Sequence, residues 1–261
     1  MVNFEDIAWY AHRARVAYQD EQAIRKAYPE TVHVAQPDGT DVLYFLEEFT
    51  DQQRQVVTIR GTDNVDNVLQ DAEYLREKDH PLGISVHRGF DADTRAVYAD
   101  LKPRLNPQYE TLATGHSLGA AISTLLMMYL HDDGFRVGPS INFGQPKLTN
   151  KQGAEKYAEL PLLRVVDGND VVPLLPTATL LDSLGGVYTH LGQEVVLLNG
   201  PHYAFLDQQA AMHESRGSFW KDLGHESLKA HKVDNYVKNS ADKLEESVQV
   251  PFKEREKYLK G

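Results

Sequence analysis

Gly115-His116-Ser117-Leu118-Gly119 separates two runs of different character. Residues 109–114 before it read as a strand, and residues 120–130 after it read as a buried helix. Gly-x-Ser-x-Gly between strand and helix is a nucleophile elbow. The turn is tight enough that only small residues fit beside the serine, which it lifts above the sheet edge. The helix N-terminus then lies behind the serine, so its N–H groups and dipole face any oxyanion formed there. Without that flanking context the same five residues would read as an ordinary glycine-rich helix cap.

A serine hydroxyl is a weak nucleophile and needs a histidine base, which in turn needs an acid to fix its tautomer. In elbow enzymes the acid and then the histidine follow the serine along the chain. Residues 162–166 form an apolar run that suits a buried strand, and Asp167-Gly168-Asn169-Asp170 is the loop at its end. On local grounds either aspartate can be the acid, or the loop is only a polar turn with a capping aspartate. His190, His202, His213, His225 and His231 all lie beyond Asp170. His231 stands immediately before a predicted helix, and His225 competes with it.

An oxyanion hole needs two donors. One is the N–H of Leu118. The other should come from the loop after an earlier central strand. Residues 55–60 contain Val56-Val57-Thr58-Ile59, a β-branched run suited to a strand buried on both faces. Gly61-Thr62 ends it, with Thr62 offering both an N–H and a hydroxyl.

Working outward, Asn3 predicts an N-cap with apolar residues at helical spacing behind it. Residues 31–35 and 41–49 predict a hairpin around Pro37-Asp38-Gly39-Thr40. A helix is expected over 90–101, strands over 137–143 and 162–166, and a helical segment over 149–159. Strands are also expected over 186–190 and 194–198, with a polar helix over 233–248. Strands alternate with helices from residue 55 to about residue 166, which predicts a mostly parallel sheet covered on both faces. No linker or repeat interrupts the 261 residues, so a single domain over 1–261 is expected.

The net charge of −11 disfavours nucleic acid and anionic membrane surfaces as partners. The chain has no cysteine, which excludes disulfides, thiol catalysis and zinc–thiolate sites. No run approaches 18 apolar residues, so no transmembrane segment is expected. The first residues lack a basic and an apolar region of the signal-peptide kind. The default expectation is therefore the cytoplasm, or secretion if a leader has been removed. No loop has calcium-ligand spacing.

Taken together these residues resemble the lipase class 3 family of α/β-hydrolases, which includes fungal lipases and feruloyl esterases. The resemblance is carried by Ile59-Arg60-Gly61-Thr62, Val86-His87-Arg88-Gly89-Phe90, Gly115-His116-Ser117-Leu118-Gly119-Ala120, Asn142-Phe143-Gly144-Gln145-Pro146, Asn169-Asp170-Val171-Val172-Pro173 and His231-Lys232-Val233-Asp234-Asn235-Tyr236. These pieces run in family order across about residues 40–240 and are jointly specific. The resemblance implies an α/β-hydrolase fold with a mostly parallel central sheet, helices on both faces and an antiparallel N-terminal hairpin. It implies Ser117, Asp170 and His231 as the triad, choosing Asp170 over Asp167 and His231 over His225. It makes Thr62 the side-chain oxyanion residue alongside Leu118.

The activity implied is hydrolysis of acylglycerol esters through an acyl-enzyme, without metal or organic cofactor. The substrate would be a lipid or small ester, met in solution or at a lipid–water interface. The alternatives are the same fold acting on a feruloyl ester or a phospholipid acyl chain, a serine peptidase, or a non-catalytic lipase-like module that would have lost a triad member. Two departures stand out. The disulfides of the fungal members are missing, and the expected lid over residues 63–70 offers only Val65, Val68 and Leu69 as apolar side chains. So polar a lid implies weak interfacial activation and a preference for shorter esters.

Overall fold

Asn3 accepts the N–H groups of Glu5 and Asp6 on its side-chain oxygen, and this cap starts helix α1 (Phe4–Val16). The structure, a computed structural model, describes residues 2–62, 76–77, 81–176, 188–214 and 229–259. Helix α2 (Glu21–Ala27) follows, capped by Asp20. Strands β1 (Thr31–Ala35) and β2 (Tyr44–Phe49) pair antiparallel, and β3 (Arg54–Ile59) pairs antiparallel with β2. The predicted turn closes with Thr40 N–H donating to Pro37 O, and Gly39 takes a φ of 81° there. Residues 41–43 precede β2 rather than belonging to it, because Val42 N–H is drawn to the Thr40 hydroxyl instead of a ladder partner.

Beyond β3 come β4 (Arg76–Glu77), β5 (Val86–His87), α3 (Arg88–Leu101), β6 (Glu110–His116) and α4 (Leu118–Asp132). The expected strand over 137–143 is broken into β7 (Arg136–Val137) and β8 (Ser140–Phe143) around Gly138-Pro139, since Pro139 has no N–H for a ladder. The helical segment expected over 149–159 opens instead as β9 (Thr149–Asn150), with α5 (Lys151–Lys156) capped by Asn150. Next are β10 (Leu162–Asp167), β11 (Tyr188–Thr189), β12 (Gln193–Leu197) and β13 (His202–Leu206). Helices α6 (Gln208–Glu214) and α7 (Val233–Ala241) and strand β14 (Val248–Gln249) complete the described elements. The helix expected over 233–248 thus stops at Ala241, and Val248 joins the sheet beside β13.

The main sheet runs β1-β2-β3-β6-β8-β10-β12-β13-β14, with β7 beside β6. Neighbours from β3 through β12 are parallel. The order rises steadily in sequence, so right-handed crossovers place the connecting helices on one face. The opposite face is left for α1 and α7, which pack on each other and on β6, β8, β10 and β12. Strand alternation matches these layers. Val56, Leu112 and Val165 point into a cluster with Phe4, Ile7, Ala11 and Tyr236. Val57 and Ile59 point the other way, against Val97, Leu101, Ile122 and Leu126. That is why a run of consecutive β-branched residues was needed in β3.

Helix α4 is buried along nearly its whole surface, including Ala120, Ala121, Leu125, Leu126, Met127 and Met128. Each large apolar side chain buried there contributes about 1.5–3 kcal/mol relative to exposure. The element carrying the serine at its start is therefore among the most firmly held parts of the fold. On the other face Arg13 of α1 makes a two-point ion pair with the buried Glu47 of β2, at 2.8 and 3.0 Å. A small antiparallel sheet, β11-β9-β5-β4, lies apart from the main one.

Candidate active site

Ser117 sits between β6 and α4 with φ 58° and ψ −126°, a conformation costing about 1–3 kcal/mol for a residue with a side chain. Neighbouring contacts hold it there. Its N–H donates to Phe143 O at the end of β8, at 3.0 Å. A Cβ on Gly115 would lie 2.4 Å from the carbonyl carbon of Gly119, and one on Gly119 would lie 2.3 Å from Ile59 O. Both glycines are thus required by close backbone approach, one within the turn and one between α4 and the end of β3. Asn142 in β8 and Gln145 just after it bind the start of α4: Asn142 Nδ2 donates to Ala120 O and to the Thr124 hydroxyl, which donates to Gln145 Oε1.

Strand β10 delivers the acidic loop. Asp170 N–H donates back to Asp167 O, closing a turn that separates the two carboxylates. Asp170 is buried. Its Oδ1 accepts Val172 N–H at 2.9 Å, and its Oδ2 accepts His231 Nδ1 at 2.6 Å and the Tyr236 hydroxyl. Asp167 instead accepts the side-chain amide of Asn239 and the N–H of Asn169. One helix, α7, thus serves both aspartates, and only Asp170 meets an imidazole. Burial and the adjacent Asp170 carboxylate push the Tyr236 phenol well above its usual range, so it stays a proton donor.

With Nδ1–H committed to Asp170, His231 leaves Nε2 as a lone-pair acceptor. His231 Nε2 and Ser117 Oγ are both buried and have no hydrogen-bond partner among the described residues. Of the other late histidines, His190 and His202 bond to backbone carbonyls, His213 is exposed, and His225 lies outside the described residues.

Two features carry no role in the sequence reading. His116, inside the elbow itself, is buried, with its ring centroid 4.6 Å from that of His231. Burial and His231 hold its pKa well below the usual imidazole range, so the ring is neutral. Its Nε2 lies 2.7 Å from His231 O and so carries the proton, while Nδ1 accepts from Tyr18 Oη at 2.8 Å. The serine's own neighbour therefore holds the backbone of the histidine. The second feature is Gly144, at φ 56°. A Cβ there would lie 2.9 Å from His231 Cε1, 3.0 Å from Tyr236 Oη and 3.1 Å from Asp170 Oδ2. The signal for both lay in plain view, as motif residues beside the assigned ones.

The Gly61-Thr62 corner lies against the elbow. A Cβ on Gly61 would fall 2.5 Å from His116 O, 2.4 Å from the Tyr18 hydroxyl and 3.3 Å from Ser117 Cβ. Leu118 opens α4, so its N–H has no partner within the helix. Val65, Val68 and Leu69 of the expected lid lie outside the described residues. Among the described residues no three His, Cys, Asp or Glu side chains are grouped to hold a metal ion, and no helix is long and apolar enough to cross a membrane.

An elbow serine and an imidazole–carboxylate pair, set at the carboxyl ends of parallel strands, fit the α/β-hydrolase fold. Comparison with solved structures agrees on the fold. A mutant form of MDLA from Penicillium cyclopium superposes with a TM-score of 0.66 at 20% identity, over 88% of this chain and 96% of that one. A lipase from Rhizopus microsporus var. chinensis gives 0.62 at 24% identity, over 74% of each chain. Residues 56–180 match the model of the lipase (class 3) family. Among curated proteins, secreted mono- and diacylglycerol lipase 1 of Fusarium solani is 32% identical over 170 residues, 58% of this chain and 47% of that protein. The chain spans about half the length of the curated relatives it matches.

Proposed function

We propose that this protein is a serine carboxylic ester hydrolase acting on acylglycerols. The observation that carries the reading is the buried His231–Asp170 pair beside an elbow serine, with Ser117 Oγ and His231 Nε2 both left unbonded among the described residues. In this reading Nε2 takes the Ser117 proton as Oγ adds to the ester carbonyl. The resulting imidazolium is held by Asp170, which Tyr236 and the Val172 N–H keep in place. Nε2 then returns the proton to the departing alcohol, and the acyl-enzyme is released by water along the same route. The Leu118 N–H, with the N–H and hydroxyl of Thr62, would receive the oxyanion. The strands leading to Thr62, Ser117 and Asp170 share one sheet, and the helix after His231 packs on it, which supports treating residues 1–261 as one catalytic unit.

Thr62 gives a specific expectation. Thr62→Val keeps the shape and removes the hydroxyl. Loss of one oxyanion donor costs about 2.7–4 kcal/mol, so kcat should fall by about 10²-fold or more with KM little changed. A change confined to KM would assign Thr62 to ground-state binding alone.

The substrate class is tested by a chain-length series of p-nitrophenyl esters with tributyrin and triolein emulsions alongside. Residues 63–70 bear three medium apolar side chains among five polar ones. At about 25 cal/mol per Å², closing such a segment gains only a few kcal/mol, against which its ordering entropy must be set. An interface shifts a closed–open equilibrium only by its differential affinity for the two states. Tributyrin hydrolysis is therefore expected to rise smoothly through the solubility limit, with short and medium esters preferred. A sharp jump there, with triolein cleaved as fast as tributyrin, would mark a long-chain interfacial lipase instead.

A further inference from the structure

We propose that His190 is a positioning residue for the acid: its Nε2–H, donated to Pro173 O, fixes the turn from which Asp170 reaches His231. The proposal rests on the triad reading above.

His190 follows β11 and is buried, with Nε2 2.6 Å from Pro173 O. Pro173 lies in the short turn Val172–Leu174 that begins two residues after Asp170. The same turn orients the carboxylate, since Val172 N–H donates to Asp170 Oδ1. The histidine therefore holds the carbonyl next to the group that aims the acid. Its own backbone is pinned in turn. Arg164 of β10 donates from Nε to Leu191 O at 3.0 Å and places Nη2 2.7 Å from Glu194 Oε2. From the far side Lys147 N–H donates to Leu175 O at 2.7 Å. The acid loop is thus fastened before Asp170, through the strand, and after it, through His190 and the Lys147 backbone.

Val172 and Pro173 are buried, but packing on that side is incomplete. A cavity of about 140 Å³ borders Asp170, Pro173, Leu174, His190, Glu194 and Arg255. Where side chains do not fill the space behind a loop, a hydrogen bond decides its position. The charges facing the ring, Arg164 and Lys147, oppose its protonation, and burial does the same. A neutral imidazole against a carbonyl must place its one proton there, so the donor is permanent. None of the other late histidines among the described residues is tied to the acid loop except His231 itself.

The test compares His190→Leu, His190→Asn and His190→Gln with wild type. The Gln amide is long enough to donate to Pro173 O, and neither Leu nor Asn can. On p-nitrophenyl butyrate, Leu and Asn should lower kcat by about 10²-fold, the effect of an ångström-scale misplacement, with KM little changed. Gln should restore kcat. A second readout needs no turnover: the far-downfield proton resonance of the His231 Nδ1–H···Asp170 bond should persist in Gln and be lost or shifted in Leu and Asn. If Leu fails to fold, the Asn–Gln comparison decides alone. An unchanged resonance in Asn or Leu, or equal kcat and resonance for Asn and Gln, would overturn the proposal. Failure of the triad reading would appear separately, as ester hydrolysis surviving Ser117→Ala while the resonance still responds to His190.

Discussion

Ser117→Ala is expected to abolish ester hydrolysis, lowering kcat by about 10⁶-fold, with the circular dichroism spectrum of the wild type retained. The serine is fully buried at the start of α4, and its hydroxyl makes no hydrogen bond among the described residues, so its removal strands no partner there. The conformation at residue 117 is held by the glycine contacts and by Phe143 O, which alanine preserves. His231→Ala should be equally damaging, because groups acting as one unit lose nearly everything with any key member. His225→Ala should be mild. Retention of more than a few per cent of activity by a clean Ser117→Ala preparation would contradict the nucleophile assignment, and the reverse ranking of the histidines would move the base to His225.

Asp170→Asn is expected to lower kcat by about 10⁴-fold, whereas Asp167→Asn should stay within about tenfold of wild type. The reason is proton inventory. Asp170 Oδ2 accepts from both His231 Nδ1 and the Tyr236 hydroxyl. An amide at that position can turn a donor toward Nδ1, which forces the proton onto Nε2 and removes the base. Asp167 bonds Asn239 and the Asn169 N–H, so its substitution loosens α7 without altering the imidazole tautomer. Measuring kcat for both variants on one ester separates the two. Equal losses, or a larger loss at Asp167, would mean that the acid lies at the other end of the loop.

How much of this was legible from the residues alone varies with the range of the forces involved. The elbow was legible because steric exclusion at Gly115 and Gly119 is local and leaves a fixed spacing. Strand β3 was legible because burial on both faces favours an unbroken β-branched run. The N-terminal hairpin was legible in its turn residues, although β2 starts three residues later than expected. The choice of Asp170 over Asp167 was not decidable from local sequence, since it depends on which carboxylate of a four-residue turn meets His231, and only the family resemblance separated them. Of the small sheet only β11 was foreseen, inside the strand expected over 186–190; β4, β5 and β9 escaped notice because two-residue strands leave no periodicity. His116, Gly144 and His190 stood in view as motif or candidate residues, but what they do was hidden for a different reason. Each acts through space on a residue far along the chain, and no spacing rule records that.

The hydroxyl that steadies His116 comes from Tyr18, and the imidazole and phenol that meet Asp170 come from His231 and Tyr236. All three stand outside the 56–180 stretch that bears the family pattern. During synthesis on a ribosome, the serine and the acid loop emerge long before their base. The nascent polypeptide therefore passes through most of its length without a proton acceptor for Ser117, and in the triad reading its capacity to cleave esters arrives in one late step. In that reading the set of reacting groups is complete only once α7 has packed on α1.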